Sequence, residues 1–183
     1  MESIFKLRVL NVLRYGDNLV AIPSFMLHML HNLEKSILVP SSVTFENLAT
    51  LDVWSCGSLV NLLPPSTAKS LVQLKNLKVG GSDMMKEVVS KEKAKQHMRL
   101  LLKIRHIALV CLANLTNFCL GGYTFTFPSL DHLVVEECPK MKVFSQGFST
   151  TPRLERVDVA DNEWHWEGDL STTIQKLFIQ LHG

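Results

Sequence analysis

The sequence predicts an α/β solenoid, with a curved parallel sheet on its concave side and short helices and loops on its convex side. Two observations carry this. The first is a six-point apolar ladder in Leu48-Ala-Thr-Leu51-Asp-Val53-Trp-Ser-Cys56-Gly-Ser-Leu59-Val-Asn-Leu62, at offsets 0, 3, 5, 8, 11 and 14. The second is its return at Leu74, Leu77, Val79, Ser82, Met85, Val88, then at Ile104, Ile107, Leu109, Leu112, Leu115, Phe118, then at Leu130, Leu133, Val135, Cys138, Met141, Phe144. Four such ladders in 183 residues mark a leucine-rich repeat.

The spacing explains the shape. Points 3 and 5 are two residues apart, the period of a strand. Points 8, 11 and 14 carry the chain around and back. Neighbouring turns stack so that their strands pair in parallel, about 4.8 Å apart. One turn alone cannot bury its apolar face, so the turns share a continuous core. Cutting Leu51 or Leu133 back to Ala should cost about 2–5 kcal/mol.

Composition permits this fold and narrows the function. Hydrophobic residues make up 46% of the chain, enough for a core. The net charge of +2 gives no overall field for nucleic acid or membrane. No apolar run approaches the roughly 18 residues of a membrane span. Met1 to Leu10 is broken by Glu2, Lys6 and Arg8, unlike a secretory signal. The four cysteines, Cys56, Cys111, Cys119 and Cys138, form no CxxC pair, so reduced thiols in a cytosolic or nuclear setting are expected.

In chain order, Leu7, Leu10 and Val12 give the first three ladder points, and the later ones slip to Leu19 and Ile22 across the turn Gly16-Asp17-Asn18. Pro23 suits the first turn of a helix. Phe25, Met26, Leu30 and Leu33 then predict an outer helix from Pro23 to about Leu33. Residues 33–47, with Leu33, Ser36 and Leu38, read as a degenerate repeat. After Pro64-Pro65, Ser66 or Thr67 is expected to cap a short helix running to about Leu74.

The step from Leu74 to Ile104 is four residues longer than the steps on either side. The polar stretch Ser90 to Arg99 absorbs it, as a solvated outer helix or loop. Its basic residues are interleaved with Glu87 and Glu92 and lack an aromatic partner for a base. Gly121-Gly122 marks a turn, and Thr124-Phe125-Thr126-Phe127 alternates like a strand. A partial ladder follows at Leu154, Val157 and Val159.

The grid fails at His165. Residues 162–183 are then expected to form a C-terminal cap. Trp164, Trp166 and a helix started by Ser171, with Ile174, Leu177, Phe178 and Leu181 on one face, close the apolar end. The whole of 1–183 reads as one domain of about six to seven repeats. No equivalent lid precedes Leu7, so the array is expected to be part of something longer.

The chemistry-bearing residues point away from catalysis. There is no GxSxG and no HExxH motif. Cys56 and Cys138 share a ladder point with Ser82 and Leu112, so a buried thiol is expected there rather than a catalytic or metal-binding one. His106 and His132 fall in one column of adjacent repeats, but no third ligand accompanies them, so no metal site is expected. Asn114-Leu115-Thr116 has the form of a glycosylation sequon, yet Leu115 is a ladder residue.

Phe45-Glu-Asn-Leu48-Ala-Thr-Leu51-Asp-Val53-Trp54-Ser-Cys56, Ser66-Thr-Ala-Lys-Ser-Leu71-Val-Gln-Leu74, Phe127-Pro-Ser-Leu130 and Glu137-Cys-Pro-Lys-Met141-Lys-Val-Phe-Ser145 resemble the C-terminal repeats of plant disease-resistance proteins. So does the tail Trp166-Glu-Gly-Asp-Leu170-Ser-Thr-Thr-Ile174-Gln. Those proteins are intracellular immune receptors with a coiled coil, a nucleotide-binding domain and a repeat tail. The GxxxxGK[ST] loop of the nucleotide-binding domain is absent from this sequence, so no cofactor is expected.

The resemblance implies a non-enzymatic sensor in the cytoplasm or nucleus. Its partner would be a pathogen effector, a guarded host protein or the receptor's own switch domain, with no nucleic acid and no membrane span. The concave-face candidates are Asp52, Trp54, Lys78, Arg105, His106, His132, Glu136, Glu137, Arg156, Asp158 and Asp161. Trp54 is the most notable, an aromatic of the kind that anchors interfaces; the competing reading is that it covers neighbouring repeats. The alternatives for the whole chain are a truncated receptor without activity of its own, and a generic repeat adaptor.

Overall fold

The computed structural model describes residues 24–28, 47–91, 99–160 and 163–182. Three stacks of strands line one core. The main sheet takes β1 (Ser24–His28), β2 (Thr50–Trp54), β4 (Asn76–Gly80), β7 (His106–Val110), β10 (His132–Glu136), β13 (Val157–Ala160) and β14 (Glu163–His165), in that order. All neighbours are parallel except β14, which runs back along β13. A second parallel sheet holds β3 (Asn61–Leu63), β5 (Glu87–Val89), β8 (Asn117–Cys119) and β11 (Val143–Ser145). A third holds β6 (Arg99–Leu101), β9 (Thr124–Thr126) and β12 (Ser149–Thr150).

The leucine-rich repeat solenoid is as the ladder requires. Leu51, Leu77, Ile107 and Leu133 lie side by side, all four in direct register, and each is at most 4% exposed. The 24 residues of the four full ladders are all buried. Where the third and fourth turns meet, the core is aromatic: Phe118 stacks on Phe144 at 4.7 Å and meets Phe125 and Phe127 edge-on.

The return path is more extended than expected. Its second and third sheets are built from strands of two or three residues, and the only return-path helix among the described residues is α1 (Pro65–Ser70). Its N-cap is Pro64, not Ser66 or Thr67, and Pro65 takes the first helical position, where its missing N–H has no partner to lose. The helix ends at Ser70, short of Leu74. Arg99, expected within a solvated stretch, lies in β6; residues 92–98 are outside the described residues.

The helix expected from Pro23 to Leu33 is overturned at 24–28; Pro23 and residues 29–33 lie outside the described residues. Ser24–His28 is a strand, paired with β2 so that Phe25 stands opposite Leu51 and Leu27 opposite Val53. Those pairings put Phe25 and Leu27 at the second and third ladder points of this turn. Five residues paired with β2 decide the conformation of this segment. The degenerate repeat at 33–47 and the ladder from Leu7 lie outside the described residues, Asn47 apart.

A repeated kink follows each main strand. Ser55, Gly81, Cys111 and Glu137, all at offset 7, adopt φ of 55°, 57°, 52° and 49°. Only one is glycine, although this region disfavours a side chain by about 1–2 kcal/mol. The gain is hydrogen bonding. The amides of Ser55, Gly81 and Cys111 donate to Gly80, Val110 and Glu136 of the next turn at 3.0–3.1 Å.

At the C-terminal end, Asp169 caps α2 (Leu170–His182), in place of Ser171. Its carboxylate accepts from the Thr172 amide at 3.0 Å and hydroxyl at 2.6 Å. Ile174 is buried and Leu177 and Trp166 pack on the core. Trp164 and Leu181, expected to share the closing face, are 55% and 66% exposed. The sequon residue Asn114 donates to the Asp83 carbonyl at 2.7 Å and accepts from Lys140, tying three turns together.

Candidate functional site

Strands β2, β4, β7 and β10 each bury two ladder residues and set the three alternate positions on the opposite face. In-register stacking sets these outward residues in rows. One row runs Thr50, Asn76, His106, His132. The next runs Asp52, Lys78, Ala108, Val134, Asp158. The third runs Trp54, Gly80, Val110, Glu136.

Six of the candidates therefore share one sheet surface with Trp54: Asp52, Lys78, His106, His132, Glu136 and Asp158. Arg156 adjoins them just before β13, and Arg105 just before β7, both exposed. Glu137 sits off the sheet in the left-handed kink, where it accepts a bond from the Cys111 thiol at 3.0 Å. Asp161 lies outside the described residues.

Trp54 is 37% exposed, and its ring lies over the next turn. A Cβ built on Gly80 would come within 2.1 Å of it. Gly80 thus acts as the seat of the ring, the cross-strand arrangement that lets an aromatic side chain cover a strand glycine. Trp54 thus covers its neighbour and still shows an aromatic edge.

Beyond it the floor is small and apolar, with Ala108, Val110 and Val134 all partly exposed. Sequence reasoning passed these over because charge drew attention first. Their outward positions, between the ladder points, were the available signal.

Electrostatically the surface has two halves. Lys78 and Arg105 lie on one side, and neither joins an ion pair among the described residues. On the other side Asp158 is bridged by Arg156 at 3.1 Å, and His132 Nδ1 lies 3.7 Å from its carboxylate. Between the halves the His106 and His132 rings stack at 5.5 Å, 14° from parallel. Burial, then His132, then Lys78 hold His106 below the usual imidazole value, against the pull of Asp131 and Asp158. Two neutral rings can stack at this distance; two imidazolium ions would repel. Among the described residues no three His, Cys, Asp or Glu side chains converge as metal ligands.

The buried thiols are structural in geometry. Cys138 donates to the carbonyls of Leu109 and Glu136, and burial pushes its pKa up to about 12. Burial likewise raises Cys119 to about 11. Neither supplies thiolate near neutrality.

A family model described as plant disease resistance protein RPS2-like, leucine-rich repeats, matches residues 39–159, about two thirds of the chain. Two probable disease resistance proteins of Arabidopsis thaliana are similar. At1g61310 is 29% identical over 134 residues, covering 71% of this chain and 14% of that protein. At1g61190 is 26% identical over 137 residues, again 71% and 14%. The chain thus spans about one seventh of the length of these curated relatives. No solved structure matches it. Repeat solenoids of this family are in general protein-interaction modules without catalysis. Among the described residues no helix is long and apolar enough to cross a membrane. The matched segment takes in the four full ladders and the partial fifth, so the chain belongs to the leucine-rich repeat family of plant disease resistance proteins.

Proposed function

We propose that the outward face of the main sheet is the recognition surface of a plant immune receptor. It binds a pathogen effector, a guarded host protein or the receptor's own switch domain, in the cytoplasm or nucleus, without catalysis and without a cofactor held by this chain. The observation that carries this is the Trp54 edge beside the small apolar floor of Ala108, Val110 and Val134, flanked by Lys78 and Arg105, which join no ion pair among the described residues. An aromatic edge next to a shallow floor and a charged rim is the arrangement from which interface hot spots are built.

The test is affinity capture from infected and uninfected leaf extract, with wild type, Trp54→Ala, Arg105→Glu and a return-path control, Ser66→Glu. The expected result is a partner retained by wild type and the control and lost by the other two. Equal recovery on all four baits would sink the proposal.

A further inference from the structure

Within the array, buried ladder points are covered by the next turn. Leu59, Met85 and Leu115, at offset 11, are fully buried. Cover weakens at the last full turn, where Val135, Cys138 and Met141 are 9%, 6% and 3% exposed. The reason is legible in the following turn. It starts well with Leu154 and Val157, but the counterparts of offsets 11 and 14 are His165 and Gly168. Instead of continuing, the chain folds back as β14 along β13. The closing helix α2 covers part of the end with Ile174 and Leu177.

What remains is a cleft of about 510 Å³ between α2, the end of the main sheet and the turn at 137–141. This is ligand-sized, within a typical range of about 300–1,000 Å³. Val135, Cys138 and Met141 line it from the core side, Val159 and Leu177 from the flanks. Leu181 stands at it two-thirds exposed. The carboxylates on its lining are Glu137 and Glu163, and no Lys or Arg lines it. Lys142 lies 5.4 Å from the Phe178 ring centre, its charge engaged there.

We propose that this cleft docks a short peptide segment that carries two aliphatic side chains three residues apart with basic residues beside them. The repeat itself supplies the template. Elsewhere in the array, side chains such as Leu112 and Leu115, three apart on a tight turn, take the corresponding positions against the preceding turn. Two carboxylates at the lining favour a cationic flank and disfavour an acidic one. The site is separate from the outward sheet face, and the inference goes beyond the function proposed there.

The experiment titrates the full chain into a fluorescein-labelled 14-residue peptide with a Leu-Ser-Asn-Leu centre and lysine flanks, read by anisotropy. Controls are the same peptide with both leucines changed to serine, and one with glutamate flanks. The protein variants are Leu181→Glu and Glu163→Lys, both at exposed positions, with circular dichroism confirming the fold. Leu181→Glu should weaken binding about tenfold or more, a loss of about 1.4 kcal/mol. Glu163→Lys should weaken the lysine-flanked peptide and strengthen the glutamate-flanked one. Trp54→Ala and Arg105→Glu should leave the affinity unchanged, which separates this site from the sheet face. Absence of saturable binding, equal binding of the serine peptide, or sensitivity to Trp54→Ala alone would each overturn the proposal. So would a dimer of the chain, abolished by Leu181→Glu, in place of peptide binding.

Discussion

Alanine at Gly80 should evict Trp54 from its seat. The added Cβ would meet the ring carbons at 2.1, 2.5 and 2.6 Å, where ordinary carbon contacts are about 3.5–4.0 Å. The ring must therefore move by more than an ångström. Trp54 is 37% exposed, so about 100–150 Å² of a side chain this large is covered. At about 25 cal/mol per Å², complete loss of that cover would cost about 3 kcal/mol. A partial swing should cost about 1–3 kcal/mol, as overpacking usually does. For a chain of this size that lowers Tm by about 3–10 °C. Urea unfolding followed by circular dichroism gives the stability, and tryptophan emission should shift to the red. The decisive arm is the double variant. With Trp54→Ala already in place, Gly80→Ala should be neutral or stabilise by about 0.5 kcal/mol, because a strand glycine carries an entropic cost. An equal penalty in both backgrounds would refute the reasoning.

Three other outcomes are expected. Gly81→Ala should destabilise by about 1–2 kcal/mol because φ is +57° there, while Gly122→Ala, with open space around its Cβ, should change Tm little; thermal melts of both check this. A thiol reagent at pH 8 should label Cys111 before the buried thiols. Glu137→Gln should speed that labelling, because the Glu137 carboxylate holds the Cys111 thiol above its usual pKa, and mass spectrometry reads the rates. His106 titrates below the usual imidazole value of about 6.5, so the unfolded chain takes up its proton first. Its contribution to stability is present above that value and is lost as pH falls through it. NMR titration should show His132→Asn moving His106 upward and flattening that loss.

The ladder was legible because its points are set by a core common to every turn. Leu51, Leu77, Ile107 and Leu133 needed no coordinates to be placed together. The first strand was misread because Phe25, Met26, Leu30 and Leu33 also satisfy a helical spacing, and Pro23 reinforced it. What decides there is pairing with Thr50–Trp54, a contact no local window contains. The second sheet, and the third apart from the alternating Thr124–Thr126, escaped notice for another reason. Strands such as Asn61–Leu63 are too short to show a period. Ser66, Thr67 and Ser171 were plausible caps by residue type, but proline at a first helical position and a carboxylate at Asp169 won. The site was half legible: its columns followed from the spacing, while the role of Gly80 under Trp54 depends on a residue 26 positions away.

Pairing of Leu77 with Ile107 and of Ile107 with Leu133 is in register, although the first step is four residues longer than the second. The surplus is taken up elsewhere, so circumference and frontage are independent variables in this molecule. A few residues added or deleted on the far side of a coil would leave Asp52, Lys78, Ala108 and Val134 in the same line. An affinity tag or fluorophore placed on that far side should leave the outward face of the main sheet undisturbed.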